Sequence, residues 1–486
     1  MAYDNLADFL EVLEDAGELV RITAGVDAEL EIAEITRQVA HDDGPALWFQ
    51  CLRGHDAAVV TNLLGSESRI ARALSVDSLE ELSCRAAELF RPPMDSSWLE
   101  RLRNSPSSNA WASLAPKMVA SAASQQVVKL GRDVELTALP IQKSWPLEAA
   151  AMITAGQVFT RDHETHGRNV GLYPLQVVEP RRLAIGWEAH QGGRRHYEQF
   201  RAAGEKMPLA VALGGDPLST YMAAAPLPAG ADECLLGGFL RSRPLELVKC
   251  RTIDLEVPAS AEMVIEGYVD PSEPEVELGP FGAATGFYSP VRKTPSLYVT
   301  AVTQRTSPIL PAIITGRPPH ELCIFSRVTR ALFLPAARMM LPELVDFELP
   351  SFGAARRYLW VAINKTYPHQ AKKVAAALLG LGPFIGSKAV VIVDADAQLR
   401  DAEDVWFRVA SHVHPPRDVT FFPAPTDGLD HAAPVLSAGQ VMIIDATRKL
   451  PEEHPRHWPE AARTSDEIRE QVSRRFEEYG LGPAGK

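Results

Sequence analysis

Between about Val127 and Gln304 the chain consists of short apolar segments separated by glycine and proline. Each segment is too short for a typical helix, and the composition favours strands. The predicted strands are Met152–Thr160, Leu183–Trp187, Leu209–Leu213, Leu245–Val248 and Ser296–Val302, with Ala261–Ile265 as a further candidate. A series of this kind predicts a β-barrel or a curved mixed sheet in the middle of the chain.

The residues before this β-rich region alternate helical and strand patterns. A first helix is predicted between the N-cap Asn5 and Gly17, with four apolar residues on one face: Leu6, Phe9, Leu10 and Leu13. A second helix is predicted over Glu29–Val39, and buried strands at Ala46–Phe49 and Ala57–Leu64. This alternation indicates an α/β segment at the N-terminal end.

The last third returns to the same alternation. Strands are predicted at Tyr358–Ile363 and Lys388–Val393, and helices at His369–Leu379 and Asp404–Val413. A capping box at Thr464–Glu467 opens a terminal helix with four apolar residues on one face: Ile468, Val472, Phe476 and Tyr479. That face must be buried either in the core of its own chain or against a neighbouring subunit.

The length of 486 residues exceeds what one compact core accommodates, so two to four domains are expected. Between Arg91 and Lys117 the composition shifts towards proline, serine and asparagine, which marks the clearest domain boundary in the first half.

The charge balance excludes some classes of partner. With 49 basic and 62 acidic residues the net charge is −13, which repels nucleic-acid phosphates and anionic membranes. No apolar run approaches eighteen residues, so no transmembrane segment is expected. The acidic start lacks the pattern of a signal peptide, and the five widely spaced cysteines are typical of reduced thiols. A cytoplasmic protein is therefore predicted.

Two segments carry the residue types of a chemical site. Asn169, His190 and Glu233 offer oxygen and nitrogen ligands for a hard divalent ion such as Mg²⁺ or Mn²⁺, although a lone histidine is more often structural. The turn Thr315–Glu321 brings either a guanidinium and a carboxylate to a pocket rim or a structural ion pair to a rigid loop. The residues alone leave both alternatives open.

In this order the motifs resemble those of the UbiD family, and the resemblance extends from the N-terminal helix to Thr447. The most specific stretches are Arg168–Tyr173, Val211–Pro217, Leu245–Glu262, Gly279–Gly282 and Thr315–Glu321. The resemblance implies a mixed α/β subunit of three parts. These are an N-terminal α/β domain (1–117), a central split β-barrel that binds flavin (118–325), and a C-terminal α/β oligomerisation domain with the terminal helix (326–486). It also implies a homo-oligomer, either a dimer or a hexamer.

The resemblance further implies the reversible, non-oxidative decarboxylation of an aromatic or α,β-unsaturated acid with prenylated FMN, which a flavin prenyltransferase supplies. The family's ligands for a divalent ion, Mn²⁺ or Mg²⁺, correspond in this chain to Asn169, His190 and Glu233, and K⁺ is a further candidate ion. By the same resemblance the cofactor-binding set is completed by Leu172, Tyr173, Trp187, Gln191 and Gly192.

Several positions depart from the family pattern. Pro174 replaces the arginine that orients the substrate carboxylate, and Leu278 and Ala283 replace two acids of the proton relay. By its spacing to Asp445, Val441 replaces a lysine near the flavin phosphate, and Gly186 replaces an arginine before Trp187.

Three residues are candidates for the missing acid. Glu277 lies one residue before the family position and would need a β-bulge to reach it; otherwise it is a surface glutamate. His320 and Glu321 lie on the loop that lines the substrate pocket in relatives, where a rim position is the alternative. Lys365 and His369 are assigned structural or solvent-facing positions.

Three hypotheses follow. The first is an active decarboxylase with a different proton relay, suited to an electron-rich hydroxyaryl acid. The second is a catalytically silent UbiD-like subunit that supports a partner protein. The third is a flavin or metal protein of other chemistry, since a fold does not fix function. Flavin content separates the first from the second.

Overall fold

The computed structural model describes residues 3–90, 113–353 and 357–480. Most of the proline-rich boundary predicted at Arg91–Lys117 lies outside these residues. The helices, numbered along the described chain, are α1 (Leu6–Asp15), α2 (Glu31–His41), α3 (Glu67–Leu74), α4 (Leu79–Phe90), α5 (Gly192–Ala203), α6 (Leu218–Ala224), α7 (Glu233–Arg241), α8 (Glu321–Met340), α9 (Gln370–Leu379), α10 (Ala402–His412), α11 (Pro415–Asp418) and α12 (Asp466–Arg474).

The strands fall into an N-terminal, a central and a C-terminal group. In chain order they are β1 (Leu19–Ile22), β2 (Ala46–Phe49), β3 (Ala58–Thr61), β4 (Lys117–Met118), β5 (Val127–Leu130), β6 (Met152–Ile153), β7 (Gln157–Arg161), β8 (Arg168–Leu172), β9 (Leu175–Glu179), β10 (Arg182–Ile185), β11 (Met207–Leu213), β12 (Glu246–Lys249), β13 (Glu256–Pro258), β14 (Met263–Val269), β15 (Val276–Leu278), β16 (Arg292–Thr294), β17 (Ser296–Gln304), β18 (Ile309–Ala312), β19 (Leu344–Glu348), β20 (Tyr358–Ile363), β21 (Ala389–Asp394), β22 (Val419–Pro425) and β23 (Ala438–Asp445).

The N-terminal sheet has the order β1-β2-β3-β18. Helix α1 packs on it as the sequence predicts, because the Asn5 side chain accepts the Asp8 N–H and the four predicted apolar residues are fully buried. The fourth strand, β18, comes from residues 309–312 and pairs in parallel with β3. The chain therefore returns to the N-terminal layer just before Thr315–Glu321, which holds that loop between this layer and the central sheet.

The central sheet has the order β6-β9-β10-β17-β14-β11-β7-β8, with β5 also paired to β17. The predicted single strand Met152–Thr160 is wrong, because the chain changes partners within it. Strand β6 pairs with β9, whereas β7 pairs with β8 and β11. At the break, Gly156 lies so close to Val211 that a Cβ there would be 2.8 Å from its Cγ1 atom.

The C-terminal sheet has the order β19-β20-β21-β23-β22, in which β20, β21 and β23 are parallel. Both faces are covered over most of the sheet, so the buried middles of the parallel strands are apolar, as in Val390–Val393 of β21. Strand β20 has the predicted bounds, and β21 begins one residue later than predicted.

The terminal helix is shorter than predicted. Ser465 caps α12 by accepting the Ile468 N–H, but the helix ends at Arg474, before Phe476 and Tyr479. Ile468 is 47% exposed and Val472 is 39% exposed, so their apolar face is not buried within one chain. Burial against a neighbouring subunit stays a prediction. No helix in the described parts of the chain is long and apolar enough to cross a membrane.

Candidate functional site

Strand β8 brings the start of two helices together. The Tyr173 hydroxyl accepts the N–H of Gly193 in the first turn of α5, at 3.2 Å. The Glu233 carboxylate, at the first residue of α7, accepts the Val170 N–H at 2.9 Å. These two bonds tie the starts of α5 and α7 to β8 and to the residue that follows it, although the two helices are about 40 residues apart in sequence.

The side-chain amide of Asn169 has a defined orientation. Its Nδ2 group donates to the Thr160 hydroxyl at 3.3 Å and to the Tyr173 hydroxyl at 3.5 Å. Its Oδ1 atom faces Gly192, where a Cβ would lie only 1.8 Å away. The carbonyl end is therefore turned towards the N-terminus of α5, and any side chain larger than glycine at position 192 would displace it.

Glu233 is a buried carboxylate with little compensation. Burial raises its pKa to about 7, against the opposing effect of the Val170 N–H. The nearby Arg168 is engaged elsewhere, with Asp232 at 2.7 Å and Glu256 at 3.3 Å. A cation beside Glu233 would offset the cost of burying its charge.

His190, the third predicted ligand, is exposed. It lies on the loop before α5, two residues before Gly192. The Gln191 side chain closes this loop by accepting the Glu188 N–H at 2.8 Å. Among the described residues, no group of three or more His, Cys, Asp or Glu side chains could hold a metal ion.

Trp187 provides a hydrogen-bond donor that the protein does not use. Its ring is buried between Tyr173 and Tyr197, at centroid distances of 6.3 and 5.7 Å. Its Nε1–H has no partner among the residues described. A phosphorylated flavin held with a cation would fit these groups: the unused Trp187 N–H, the Asn169 oxygen and the buried Glu233 carboxylate. The N–H groups at the N-terminus of α5 would suit the flavin phosphate. Leu172, also in the predicted set, lies half-buried on the same strand.

The positions that depart from the family pattern pack against each other. The Gly186 N–H donates to the Pro174 carbonyl at 2.8 Å, and a Cβ on Gly186 would lie 2.7 Å from the proline ring and 3.2 Å from Leu278. Leu278 and Ala283 belong to an apolar cluster, which we call the Leu278 cluster: Met152, Ala184, Leu278, Phe281 and Ala283, with Leu429 of the C-terminal layer against it. Mutually adapted apolar groups thus occupy the place of the family's charged set.

The structure does not bring Glu277 to the Leu278 cluster. Strands β15 and β16 pair in regular register, with Glu277 opposite Lys293 and Leu278 opposite Arg292. Because neighbouring residues of a strand face opposite sides, Leu278 is fully buried and Glu277 is exposed. The bulge that would turn Glu277 inwards is absent from this pair, and the geometry favours a surface glutamate.

His320 lies nearer than Glu277 to Ala283, the position at which the family has an acid. Its Nε2–H donates to the Ala284 carbonyl, one residue beyond Ala283, at 3.3 Å, so its Nδ1 atom is unprotonated and faces the Cys323 thiol at 3.8 Å. Burial lowers the pKa of His320, which keeps the ring neutral near pH 7.

Glu321 is held by the N-terminal layer. Its Oε1 atom accepts the Leu64 N–H at 2.7 Å, and the buried Arg69 lies close enough to act on its charge. Burial raises the pKa of Glu321 to about 7. His320 and Glu321 line a cleft together with Asn62, Trp145 and Thr315.

Sequence reasoning missed Glu148, which shapes the loop at the Leu278 cluster. This buried carboxylate accepts the N–H groups of Ser144, Trp145 and Gly282, at 2.6, 3.2 and 2.9 Å. The last bond joins residues 134 positions apart, so no local pattern could reveal it. Val441, predicted to mark a flavin-phosphate position, instead lies buried in the hydrophobic core of the C-terminal sheet.

Gly192→Ala is expected to weaken cation binding about 10-fold or more, because the new methyl group would displace the Asn169 oxygen from its place. Binding of Mn²⁺ in the presence of FMN, followed by the electron paramagnetic resonance of free Mn²⁺, measures the effect. Gly386→Ala is the matched control, since a Cβ there meets nothing within 4 Å. Equal affinities in the two variants would contradict the prediction.

Glu321→Gln is expected to change how stability depends on pH. A carboxyl whose folded pKa is about 7, against 4.5 unfolded, binds protons more tightly in the folded state, so its contribution is full below pH 4.5 and is lost as the pH rises through 7. The wild type should therefore lose about 2 to 3 kcal/mol relative to the variant between pH 5 and pH 8. Urea unfolding at four pH values tests this, with the exposed Glu11→Gln as control. Parallel curves would mean that Arg69 keeps Glu321 ionised throughout.

Three family models match consecutive parts of this chain. They describe the N-terminal domain (residues 10–86), the Rift-related domain (117–318) and the C-terminal domain (323–446) of 3-octaprenyl-4-hydroxybenzoate carboxy-lyase, UbiD. An uncharacterised protein of Aquifex aeolicus is 42% identical over 482 residues, which cover 99% of each chain.

Solved structures of related enzymes match this chain along its whole length. Vanillic acid decarboxylase of Sedimentibacter hydroxybenzoicus is 27% identical and covers 99% of each chain, with a TM-score of 0.87 in its closed form. The open form of that enzyme, which covers 99% of this chain and 100% of its own, gives 0.77. The UbiD-class enzyme HmfF of Pelotomaculum thermopropionicum, in complex with prenylated FMN, is 28% identical, with a TM-score of 0.78 over 98% of this chain and all of its own. With three domain models in sequence order and a mixed α/β fold that matches along its full length, this chain belongs to the UbiD family of carboxy-lyases.

Proposed function

We propose that this protein is a UbiD-class decarboxylase that binds prenylated FMN together with a divalent cation and acts reversibly on an aromatic acid. The observation that carries the proposal is a set of polar groups held by β8 and the starts of α5 and α7: the Asn169 oxygen aimed at Gly192, the buried Glu233 carboxylate and the Trp187 N–H. The Trp187 N–H lacks a partner among the described residues, and a cation with a phosphorylated flavin would supply one and would offset the buried charge of Glu233.

Asn169 and Glu233 would hold the cation, Mn²⁺ or Mg²⁺, through oxygen, which hard divalent ions prefer. His190 would complete the set from its exposed loop, with K⁺ as a further ion beside the phosphate. The prenylated flavin supplies an electron sink for the pair that is released when CO₂ leaves.

The proton that replaces CO₂ on the substrate carbon is assigned to His320. Nδ1, which faces the Cys323 thiol, would first take up a proton; the Nε2 proton would then leave its bond to Ala284 and pass to the carbon, which returns the ring to neutral. The charge balances because CO₂ departs from a carboxylate. His320 is preferred over Glu277, which is exposed, and over Glu321, which is tied to Leu64. Its buried position next to Ala284 supports this role.

An electron-rich hydroxyaryl acid is the substrate class that suits this site. With Pro174 in place of an arginine and the Leu278 cluster in place of two acids, the protein offers little charge to orient a carboxylate or to protonate a carbon. A phenol on the substrate can itself push electrons towards the carbon that is protonated. The similarity to a vanillic acid decarboxylase, at 27% identity, supports the same class.

The apolar packing of the same four positions favours one second candidate, a catalytically silent UbiD-like subunit that supports a partner protein. In that case Pro174, Gly186, Leu278 and Ala283 would be core residues and nothing more. The two candidates differ in whether the flavin site is filled and used.

Co-expression with a flavin prenyltransferase, the proposed source of the cofactor, separates them. A decarboxylase should purify with about one prenylated flavin per chain, detected by absorbance and mass, and release CO₂ from hydroxybenzoic acids. Flavin-free protein after such co-expression would overturn the enzyme assignment. Sedimentation of the same preparation tests the proposed cytoplasmic homo-oligomer, a dimer or hexamer.

A further inference from the structure

Asn169 lies at one end of a line of hydrogen bonds that runs through the barrel wall into helix α5. Thr160 faces Asn169 across β7 and β8, and its hydroxyl accepts from the Asn169 amide at 3.3 Å. On its other side the same hydroxyl lies 3.0 Å from Nδ1 of His196. His196 in turn has Nε2 3.8 Å from the Asp162 carboxylate. Thr160 and His196 are both buried, so water does not substitute for either partner.

Counting donors fixes the direction of this line. The Asp162 carboxylate lies 3.8 Å from Nε2 of His196, which favours the ring proton on Nε2 and leaves Nδ1 as an acceptor. The Thr160 hydroxyl has one proton, so when it donates that proton to Nδ1 it can only accept from Asn169. Asp162 suits the role of partner to Nε2 because the Thr165 and Glu164 N–H groups, at 2.8 and 3.0 Å, hold it ionised and lower its pKa. Every donor in the line therefore points away from the Asn169 oxygen.

The opposite arrangement would let the amide turn around. With a proton on Nδ1, His196 would donate to Thr160, and the threonine proton would be free to point at Asn169. The amide would then no longer be held in one orientation, and its turned form presents Nδ2 to the N-terminus of α5, where an N–H cannot bind a cation. The Tyr173 hydroxyl does not decide between the two, because it can accept from the amide or donate to it.

We propose that His196 and Thr160 are positioning residues that select, through the tautomer of His196, the orientation in which the Asn169 oxygen faces the cation site. This deepens the proposed function and rests on its assignment of a cation to Asn169 and Glu233. Partners of this kind, which orient a ligand without touching the ion, are as important to affinity as ligand geometry itself.

Mn²⁺ binding to the full chain in the presence of FMN tests the proposal without recourse to turnover. Thr160→Val keeps the shape of the side chain and removes the hydroxyl, so the dissociation constant for Mn²⁺ should rise about 10- to 100-fold. His196→Phe, which removes the Nδ1 acceptor, should act in the same direction. Thr160→Ser restores the hydroxyl and should recover most of the affinity, which a purely structural role would not require.

Thr61→Val is the matched control, because Thr61 is also fully buried and shares a hydrogen bond of 2.7 Å with another hydroxyl, that of Thr36, away from the site. Its Mn²⁺ affinity should equal that of the wild type. If the wild type and Thr160→Val bind Mn²⁺ equally, the positioning role is overturned and the cation site stands. If the wild type with FMN binds no Mn²⁺, the cation assignment falls, and this inference with it.

Discussion

Glu233→Gln is expected to lower both Mn²⁺ affinity and CO₂ release by about 100-fold or more. Glutamine keeps the size of the side chain and the acceptor for the Val170 N–H, so the start of α7 should stay in place. What is lost is the negative charge, in a buried position where Asn169 contributes only a neutral oxygen. A direct ligand contributes at least as much to metal affinity as the residues that orient it. Loss of such an orienting residue already lowers metal affinity about 10- to 100-fold.

The measurement is Mn²⁺ titration with FMN, combined with CO₂ release by protein that was co-expressed with the prenyltransferase. Glu256→Gln is the control, since it makes the same chemical change at a nearby glutamate that pairs with Arg161 and Arg168. Unchanged Mn²⁺ affinity in Glu233→Gln, alongside tight binding by the wild type, would remove Glu233 from the site.

Lys365→Met is expected to destabilise the C-terminal domain by about 3 to 5 kcal/mol. The Lys365 side chain is only 2% exposed, and its Nζ lies 2.6 Å from Glu453, 3.4 Å from Asp445 and 3.0 Å from the Thr447 hydroxyl. Removing the cation leaves Glu453 without its charged partner, and Asp445 then depends on Lys449 alone, which also serves Asp418.

Chemical unfolding followed by the fluorescence of Trp360, which lies buried in the same sheet, measures the change in this domain. Lys373→Met is the matched control, since Lys373 makes a short ion pair with Glu343 at the surface and its loss should change stability little. A Lys365→Met protein as stable as this control would show that the buried charges contribute no net stability.

Lys365 is predicted to be either structural or solvent-facing, and its buried ion pairs confirm the structural alternative. Its position in the sheet explains why. Lys365 follows β20 and Asp445 ends β23, and both lie at the carboxyl edge of parallel strands, where open α/β sheets commonly bind ligands. Here ion pairs occupy that edge. The sequence shows that charged residues follow these strands, but whether Lys365 and Asp445 pair with each other depends on the order of the strands in the sheet.

At the candidate site, sequence reasoning selected Asn169 in β8 and Glu233 at the start of α7, and the family resemblance gave them their role as ligands, which stays a prediction. It did not identify Thr160, His196 or Glu148. Thr160 and His196 belong to different elements, and Glu148 acts on Gly282 across the fold. Contacts between residues so far apart leave no periodic signal along the chain.

The sequence by itself determined the fold class, the family and the replacement of the family's charged residues, since local patterns and ordered motifs carry that information. Helix α1 forms as predicted because one buried face requires apolar residues at helical spacing. Strand β20 forms as predicted because burial of both faces requires a continuous apolar run. Only the tertiary structure decided which side chains meet. It turned Glu277 outwards, placed His320 beside Ala284, and aimed the Asn169 oxygen at α5, because register, helix starts and buried hydrogen bonds are properties of packed elements.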